Sequence, residues 1–320
     1  MMRPSGIMAG MPTARIWLDG RLVDAHAPHL NVSDRGFQLG DGIFETARAR
    51  RGVVIELDEH LDRLRESAAA LALHLPVPDE RLADGIAELL AAEGLHGTGV
   101  AGGAVGDAAI RITVSRGPIE KRGLLPPGFE DVAATIAIQA WPYAPPPDEL
   151  LERGVRAIPS AVRRDPGSPL AGVKSTSRAD YVYAKLEATR AGADDALFLT
   201  TAGALSEGTT ANVYVVAGRT IGTPPRDAAI LAGTTRSWLL RHAASLGLEI
   251  AEVEVRPEHL LAADEAFLSS SVAGIVPLTS YEDRPIGTGR PGPRTLAIRA
   301  AREAWIDAMS LAAFIDEPAS

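Results

Sequence analysis

The stretch from Gly172 to Val216 constrains the fold of this chain more than any other part of it. It begins with an uncharged run around Lys174 and continues with apolar residues at helical spacing. Two apolar segments, 196–199 and 212–216, then predict strands, and turn residues between them indicate that Glu207 lies in a turn. A strand, a helix and then antiparallel strands predict a mixed α/β (α+β) fold.

The remainder of the chain predicts two domains. Its 320 residues and 46% hydrophobic content suit one large core or two moderate ones. The predicted elements are a hairpin over 15–23 with its turn at Asp19-Gly20, a strand over 43–50, a helix capped by Asp58 and a second helix over 79–93. The predicted ranges are a leader over 1–13, an N-terminal α/β domain over 14–140, a proline-stiffened linker over 141–153 and a C-terminal domain over 154–320.

Composition excludes several functions. A net charge of -9 disfavours a nucleic-acid or anionic-membrane partner, and the basic pair Arg163-Arg164 is expected in a solvated loop. The absence of cysteine excludes disulfides, thiolate metal sites and cysteine nucleophiles, and seven scattered histidines predict no metal. No run approaches the roughly 18 apolar residues of a membrane span. We therefore expect a cytoplasmic protein, with a flexible loop in the glycine-rich tract 94–106.

Two residues of the stretch that starts at Gly172 are candidates for chemistry. Burial of Lys174 in its uncharged surroundings would lower the pKa of the amine and favour the nucleophile that forms a Schiff base. Such a lysine condenses with the aldehyde of pyridoxal phosphate, and a carboxylate that faces the pyridine nitrogen of this cofactor keeps the nitrogen protonated. Glu207 is the candidate for that carboxylate. The alternatives are a solvated surface lysine and a solvated turn glutamate.

Two further features predict a phosphate site. The segment ILAGTTR places Thr234 and Thr235 at a helix N-terminus, where unpaired amides bind anions. The guanidinium of Arg63 matches phosphate geometry. The alternatives are an ordinary capped helix and an exposed arginine that pairs with Glu59 or Glu66.

Seven segments resemble, in this order, the class IV aminotransferases, which are fold type IV enzymes dependent on pyridoxal phosphate. They are SDRGFQLGDGIFET, DEHLDRL, RITVSRG, GVKSTS, DDALFLTTAGALSEGTTANVYVV, ILAGTTR and ADEAFLSSSVAGIVPL, and the match covers about 15–300. Branched-chain aminotransferases, D-amino-acid transaminases, (R)-selective amine transaminases and aminodeoxychorismate lyase share this family. The resemblance implies a small N-terminal α/β domain, a larger barrel-like C-terminal α/β domain and a homodimer.

The resemblance also implies a role for individual residues. Lys174 would be the catalytic Schiff-base lysine, Glu207 the partner of the ring nitrogen, and Leu231 would pack on the ring. The implied phosphate ligands are Arg63, Thr234 and Thr235, and Ser270 and Ser271 would complete the phosphate and carboxylate site. The residues predicted to contact the substrate are Phe44, Arg111, Lys121, Arg122, Arg178, Ser271 and Val272.

The implied activity is ping-pong transamination in amino-acid metabolism. The amino group would move from a small amino acid, of the D-amino-acid or branched-chain type, or from an (R)-amine, to a 2-oxo acid. The segment GDGIFETAR is nearer to D-amino-acid transaminases and lyases, and Ala179 stands where branched-chain enzymes have a tyrosine. An aminodeoxychorismate lyase that releases pyruvate is the enzyme alternative, and a pyridoxal-phosphate-binding protein without turnover is the non-enzyme alternative.

Overall fold

The computed structural model describes residues 14–96 and 106–316. The predicted leader over 1–13 and residues 97–105 of the glycine-rich tract lie outside this range. The described chain divides into two compact units. Unit 1 comprises 14–96, 106–145, Val173–Ser177 and 306–316, and unit 2 comprises Pro146–Gly172 and Arg178–Trp305. The division differs from the predicted ranges at two places. The short segment with Lys174, Val173–Ser177, belongs to unit 1, and so do residues 306–316.

Unit 1 contains a six-stranded antiparallel sheet in the order β2-β1-β6-β5-β3-β4. Its strands are β1 Arg15–Leu18, β2 Arg21–Asp24, β3 Gly42–Arg50, β4 Val53–Val54, β5 Ala108–Ser115 and β6 Thr135–Pro142. Its helices are α1 Arg35–Leu39, α2 Leu57–Ala70 and α3 Asp79–Ala92, with a 3-10 turn at Phe129–Asp131. The predicted hairpin is confirmed, since Asp19 and Gly20 have φ values of 47° and 94°, as a two-residue hairpin turn requires.

One face of α2 closes the apolar core of unit 1. Leu61 and Leu64 pack with Trp17 of β1 and Ile112 of β5. The predicted cap at Asp58 is wrong, because the helix begins at Leu57 and Asp58 lies in its first turn. An acidic side chain there still favours the helix through the positive end of the helix dipole.

Unit 2 contains a nine-stranded sheet that closes on itself. Its strands are β7 Val155–Arg164, β8 Asp195–Thr200, β9 Leu205–Gly208, β10 Asn212–Ala217, β11 Thr220–Thr223, β12 Glu249–Glu252, β13 Glu265–Ser270, β14 Gly274–Tyr281 and β15 Arg284–Pro285. Six of them follow in the order β10-β13-β14-β7-β8-β9, and β9 pairs again with β10. This ring confirms the predicted barrel-like region.

The helices of unit 2 flank that sheet along the chain. They are α4 Asp148–Arg153, α5 Ala179–Arg190, α6 Thr234–His242 with a 3-10 turn at Ala243–Leu246, α7 Pro257–Ala262 and α8 Pro293–Asp316, whose second half groups with unit 1. In the part of the chain that the structure describes, no helix combines the length and apolar content that a membrane span needs.

Three local expectations need correction. The predicted linker contains the end of β6 and the whole of α4, so its irregular part is 143–147. Arg163 and Arg164 end strand β7, and the Arg164 side chain is only 13% exposed because it donates to the carbonyl oxygens of Ala171 and Ala229. Glu207 lies in β9 rather than in a turn, at the position that pairs with Asn212 and closes the ring.

Candidate active site

Lys174 is fixed in unit 1 through its backbone. The Phe44 amide donates to the Lys174 carbonyl oxygen over 3.0 Å, so the lysine segment extends alongside β3. The Lys174 amide donates to Ser67 Oγ of α2 over 3.2 Å. At Gly40, φ is 66° and a Cβ would lie 2.5 Å from Ser177 Oγ, which explains the glycine at the first position of GDG. The main chain at Lys174 is therefore held by a strand and a helix.

The ring of Phe44 is shared by two cations. Lys174 Nζ lies 4.8 Å from the ring centroid, and Arg111 Cζ lies 3.9 Å from it. Arg111 Nε also donates to Thr113 Oγ1 over 3.1 Å, which orients the guanidinium. The structure thus brings together the predicted lysine and two predicted substrate residues, and an arginine fork beside an amine suits a substrate carboxylate.

Arg63 is buried rather than exposed. Its Nε and Nη2 donate to the two carboxylate oxygens of Glu45 in β3, each over 2.7 Å. It lies one helical turn before Ser67, so the two side chains share a face of α2. Arg63 is therefore presented from the same helix that holds the backbone of Lys174.

Glu45 has a second buried partner in His60. His60 Nδ1 donates to Glu45 Oε2 over 2.7 Å. Burial alone would raise the pKa of Glu45, but the hydrogen bonds and charges of Arg63 and His60 outweigh burial and lower the pKa to about 2. Glu45 is consequently ionised throughout the neutral range.

In unit 2, Glu207 is 4% exposed and accepts two hydrogen bonds from neutral donors. Tyr181 Oη donates to Oε1 over 3.0 Å, and the Leu231 amide donates to Oε2 over 2.9 Å. The nearest cation is Arg164, whose Nη2 lies 3.8 Å from Oε1. Tyr181 is absent from the sequence-based prediction, because only the packing of α5 against the sheet shows where its hydroxyl points.

The first turn of α6 offers donors to an anion. Thr234 Oγ1 and Ser271 Oγ are 3.0 Å apart. Thr235 Oγ1 is buried and has no hydrogen-bond partner among the described residues. A Cβ on Gly233 would lie 2.2 Å from Asn212 Oδ1, so only glycine lets the chain enter the helix here. A buried hydroxyl without a partner among the described residues, at the N-terminus of a helix, fits a phosphate group.

The other predicted residues lie as follows. The Leu231 carbonyl oxygen accepts from Asn212 Nδ2 over 2.9 Å, and Ser270 Oγ accepts from the Ala273 amide over 3.2 Å. Val272 is half-buried in the turn between β13 and β14, whereas Lys121 and Arg122 are exposed in the loop between β5 and β6. Arg178 donates to the Thr209 carbonyl oxygen and stacks on Tyr181.

Both units contain residue types that pyridoxal phosphate chemistry uses. Unit 1 contains the amine of Lys174 and the guanidinium of Arg63. Unit 2 contains the carboxylate of Glu207 and the hydroxyls of Thr234 and Thr235. Amine, carboxylate and anion site are the groups that this cofactor chemistry requires.

Comparisons with known proteins identify the family of this chain. The family model for amino-transferase class IV matches residues 42–281. A Methanocaldococcus jannaschii protein, provisionally named a branched-chain-amino-acid aminotransferase, is 36% identical over 89% of this chain and 94% of its own length. The D-alanine aminotransferase of Bacillus licheniformis is 31% identical over 90% and 95% of the two chains. The aminodeoxychorismate lyase of Bacillus subtilis is 29% identical over 89% of this chain and 92% of its own length.

A solved structure shows the same architecture. It is a T.th. branched-chain amino acid aminotransferase with pyridoxamine 5'-phosphate, which superposes with a TM-score of 0.83. It is 27% identical and covers 92% of this chain and 94% of its own. The predicted mixed α/β fold of the class IV enzymes is thereby confirmed.

Proposed function

We propose that this chain, which belongs to the class IV aminotransferase family, carries pyridoxal phosphate on Lys174 and transaminates small amino acids. Enzymes of this family use pyridoxal phosphate and act on an amino donor and a 2-oxo acid acceptor. The observation that carries the proposal is the anchoring of Lys174 on β3 and α2 beside Phe44 and Arg111.

In this proposal each residue of the site has a separate role in the reaction. When bound, pyridoxal phosphate supplies a ring that accepts the electron pair left at the substrate α-carbon. The Lys174 amine would take the proton from that α-carbon as a general base and, as a general acid, would deliver it to the cofactor carbon that carried the aldehyde. The Glu207 carboxylate would hold a proton at the ring nitrogen, and the hydroxyls of Thr234 and Thr235 would donate to the phosphate. Arg63, oriented by Glu45, adds positive charge to the phosphate site.

For the substrate we propose a small amino acid of the D-amino-acid or branched-chain type, with (R)-amines as weaker donors. Relatives with both amino-acid specificities support this range. Arg111 beside Phe44 supports a donor with a carboxylate, because its fork can bind both carboxylate oxygens. A half-reaction screen with L-amino acids, D-amino acids and (R)-amines measures the preference directly.

The holoenzyme tests the proposal as a whole. Purified protein should be yellow, and an amino donor should remove that colour in a single half-reaction. A colourless preparation that takes up no added pyridoxal phosphate would contradict the proposal. A coloured protein that no amino donor bleaches would support the binding protein without turnover instead.

Aminodeoxychorismate lyase is the second candidate, and the similarity to the Bacillus subtilis lyase favours it. Elimination and transamination start from the same removal of the α-proton by the Lys174 amine. An assay for pyruvate released from aminodeoxychorismate separates the two: release without net amino transfer favours the lyase, and its absence favours the transaminase.

We also place the protein in the cytoplasm as a homodimer. Val182 and Leu186 on α5 are 58% and 46% exposed, and apolar side chains on one helix face suit burial against a second copy. A chain without cysteine is compatible with a reducing compartment. Sedimentation tests the dimer: the wild type should be dimeric and Val182→Asp should dissociate, and a monomeric wild type would contradict the proposal. Cell fractionation tests the compartment.

A further inference from the structure

Glu207 is oriented by a tyrosine that the family motifs do not include. Tyr181 Oη and the Leu231 amide donate to different oxygens of the carboxylate, over 3.0 and 2.9 Å. A carboxylate oxygen accepts two hydrogen bonds, so each oxygen keeps capacity for a further donor. Since the carboxylate is buried, these two donors and the Arg164 guanidinium, whose Nη2 lies 3.8 Å from Oε1, determine its orientation rather than bulk water.

The ring of Tyr181 is itself held firmly. Phe198 of β8 meets it edge-on at 5.0 Å between centroids and an interplanar angle of 70°. The guanidinium carbons of Arg178 and Arg164 lie 3.0 and 5.1 Å from its centroid. Burial, followed by the charge of Glu207, raises the pKa of Tyr181. The hydroxyl therefore stays protonated and donates to the carboxylate over the whole working range of pH.

We propose that Tyr181 is a positioning residue, whose hydroxyl holds the Glu207 carboxylate in the orientation in which it binds the protonated ring nitrogen of the cofactor. This inference rests on the proposed function of Glu207. Tyr181 acts through that carboxylate and takes no proton itself. Without it, the Leu231 amide is the remaining hydrogen-bond donor to the carboxylate, and the terminal torsion of Glu207, which is soft in glutamates, is less restrained.

A purely structural role for Tyr181 predicts something different. If the tyrosine only packs between Phe198 and Arg178, removing its hydroxyl affects everything bound by unit 2 to a similar degree. If it orients Glu207, the loss concerns only ligands with a nitrogen at that position of the ring. A cofactor analogue therefore separates the two roles.

The experiment measures binding to apoenzyme of pyridoxal phosphate and of its 1-deaza analogue, in which a C–H replaces the ring nitrogen. Wild type is compared with Tyr181→Phe, which keeps the ring and its packing. Because the hydrogen bond from Tyr181 to the Glu207 carboxyl group is lost, the Kd for pyridoxal phosphate should rise about 10-fold. The Kd for the analogue should stay within about 2-fold, since the analogue has no nitrogen for Glu207 to bind. Tyr183→Phe, two residues further along α5, is the matched control and should change neither Kd.

Two results would overturn the inference: an unchanged Kd for pyridoxal phosphate in Tyr181→Phe, or an equal loss for cofactor and analogue. Failure of the proposed function looks different. In that case wild-type apoenzyme itself does not bind pyridoxal phosphate, or does not prefer it over the deaza analogue.

Discussion

Glu45 and Glu207 are two buried glutamates with opposite surroundings. Glu45 faces a cation directly, through two 2.7 Å hydrogen bonds from Arg63 and a third from His60. Glu207 accepts from a phenol and a backbone amide, and its nearest cation is 3.8 Å away. The charge of Glu45 is compensated by Arg63 within unit 1. Both hydrogen bonds to Glu207 come from donors that carry no charge.

The difference shows that a buried carboxylate can have either of two roles, one in stability and one in ligand binding. A carboxylate paired tightly with a guanidinium stabilises the fold and fixes the arginine, because breaking such a pair leaves a buried charge. A carboxylate whose hydrogen bonds come from neutral donors keeps capacity for a further donor, and in the proposed function that donor is a protonated ring nitrogen. We therefore expect changes at Glu45 to act mainly on stability and changes at Glu207 mainly on turnover.

The largest expected effect is that of Glu45→Gln on stability. The substitution leaves Arg63 buried without its counter-charge, so the free energy of unfolding should fall by about 3–5 kcal/mol. Denaturant unfolding measures it. Glu66→Gln on the exposed face of the same helix is the control and should change the free energy by less than about 0.5 kcal/mol. A Glu45→Gln protein as stable as that control would contradict the assigned pairing.

Acid should reproduce that loss reversibly. The pKa of Glu45 falls from 4.5 to about 2 on folding, so its contribution is complete above pH 4.5 and disappears as pH falls through about 2. The shift corresponds to about 3 kcal/mol. The wild-type free energy of unfolding should fall more steeply over this window than that of Glu45→Gln. Parallel pH profiles would show that Glu45 is not the group responsible.

Glu207→Gln should show the reverse pattern. The amide lacks the charge that holds the ring nitrogen protonated, so kcat should fall about 100-fold, as when other preorganised electrostatic contacts are removed. The free energy of unfolding should change far less than in Glu45→Gln, because no buried cation loses a 2.7 Å partner. Stopped-flow half-reactions and unfolding of the same protein test both parts. A variant with normal kcat would remove Glu207 from the mechanism.

The smallest of these effects concerns substrate choice. Arg111→Ala removes the guanidinium beside Phe44, so kcat/KM should fall about 10-fold or more for donors with a carboxylate and little for (R)-amines. The ratio between the two donor classes is the measurement. An equal loss for both classes would indicate that Arg111 supports the sheet and does not bind the carboxylate.

Sequence reasoning predicted the elements with local signals and missed the contacts that depend on packing. Turn residues predict the hairpin at Asp19-Gly20. The glycine before Thr234 predicts the start of α6, and atoms close to it leave no room for a side chain. The partners of Arg63 and Glu207 lie 18 and 26 residues away along the chain. Strand register and helix rotation bring such partners together, and residue spacing does not reveal either.

The lysine itself allows the most direct test of the account. The chain has three lysines, Lys121, Lys174 and Lys185, so a covalent cofactor has few places to attach. Borohydride reduction of the holoenzyme followed by peptide mass mapping should find the phosphopyridoxyl group on the Lys174 peptide alone, and none on Lys174→Ala. A label on Lys121 or Lys185, or no label on a protein that transaminates, would contradict the account.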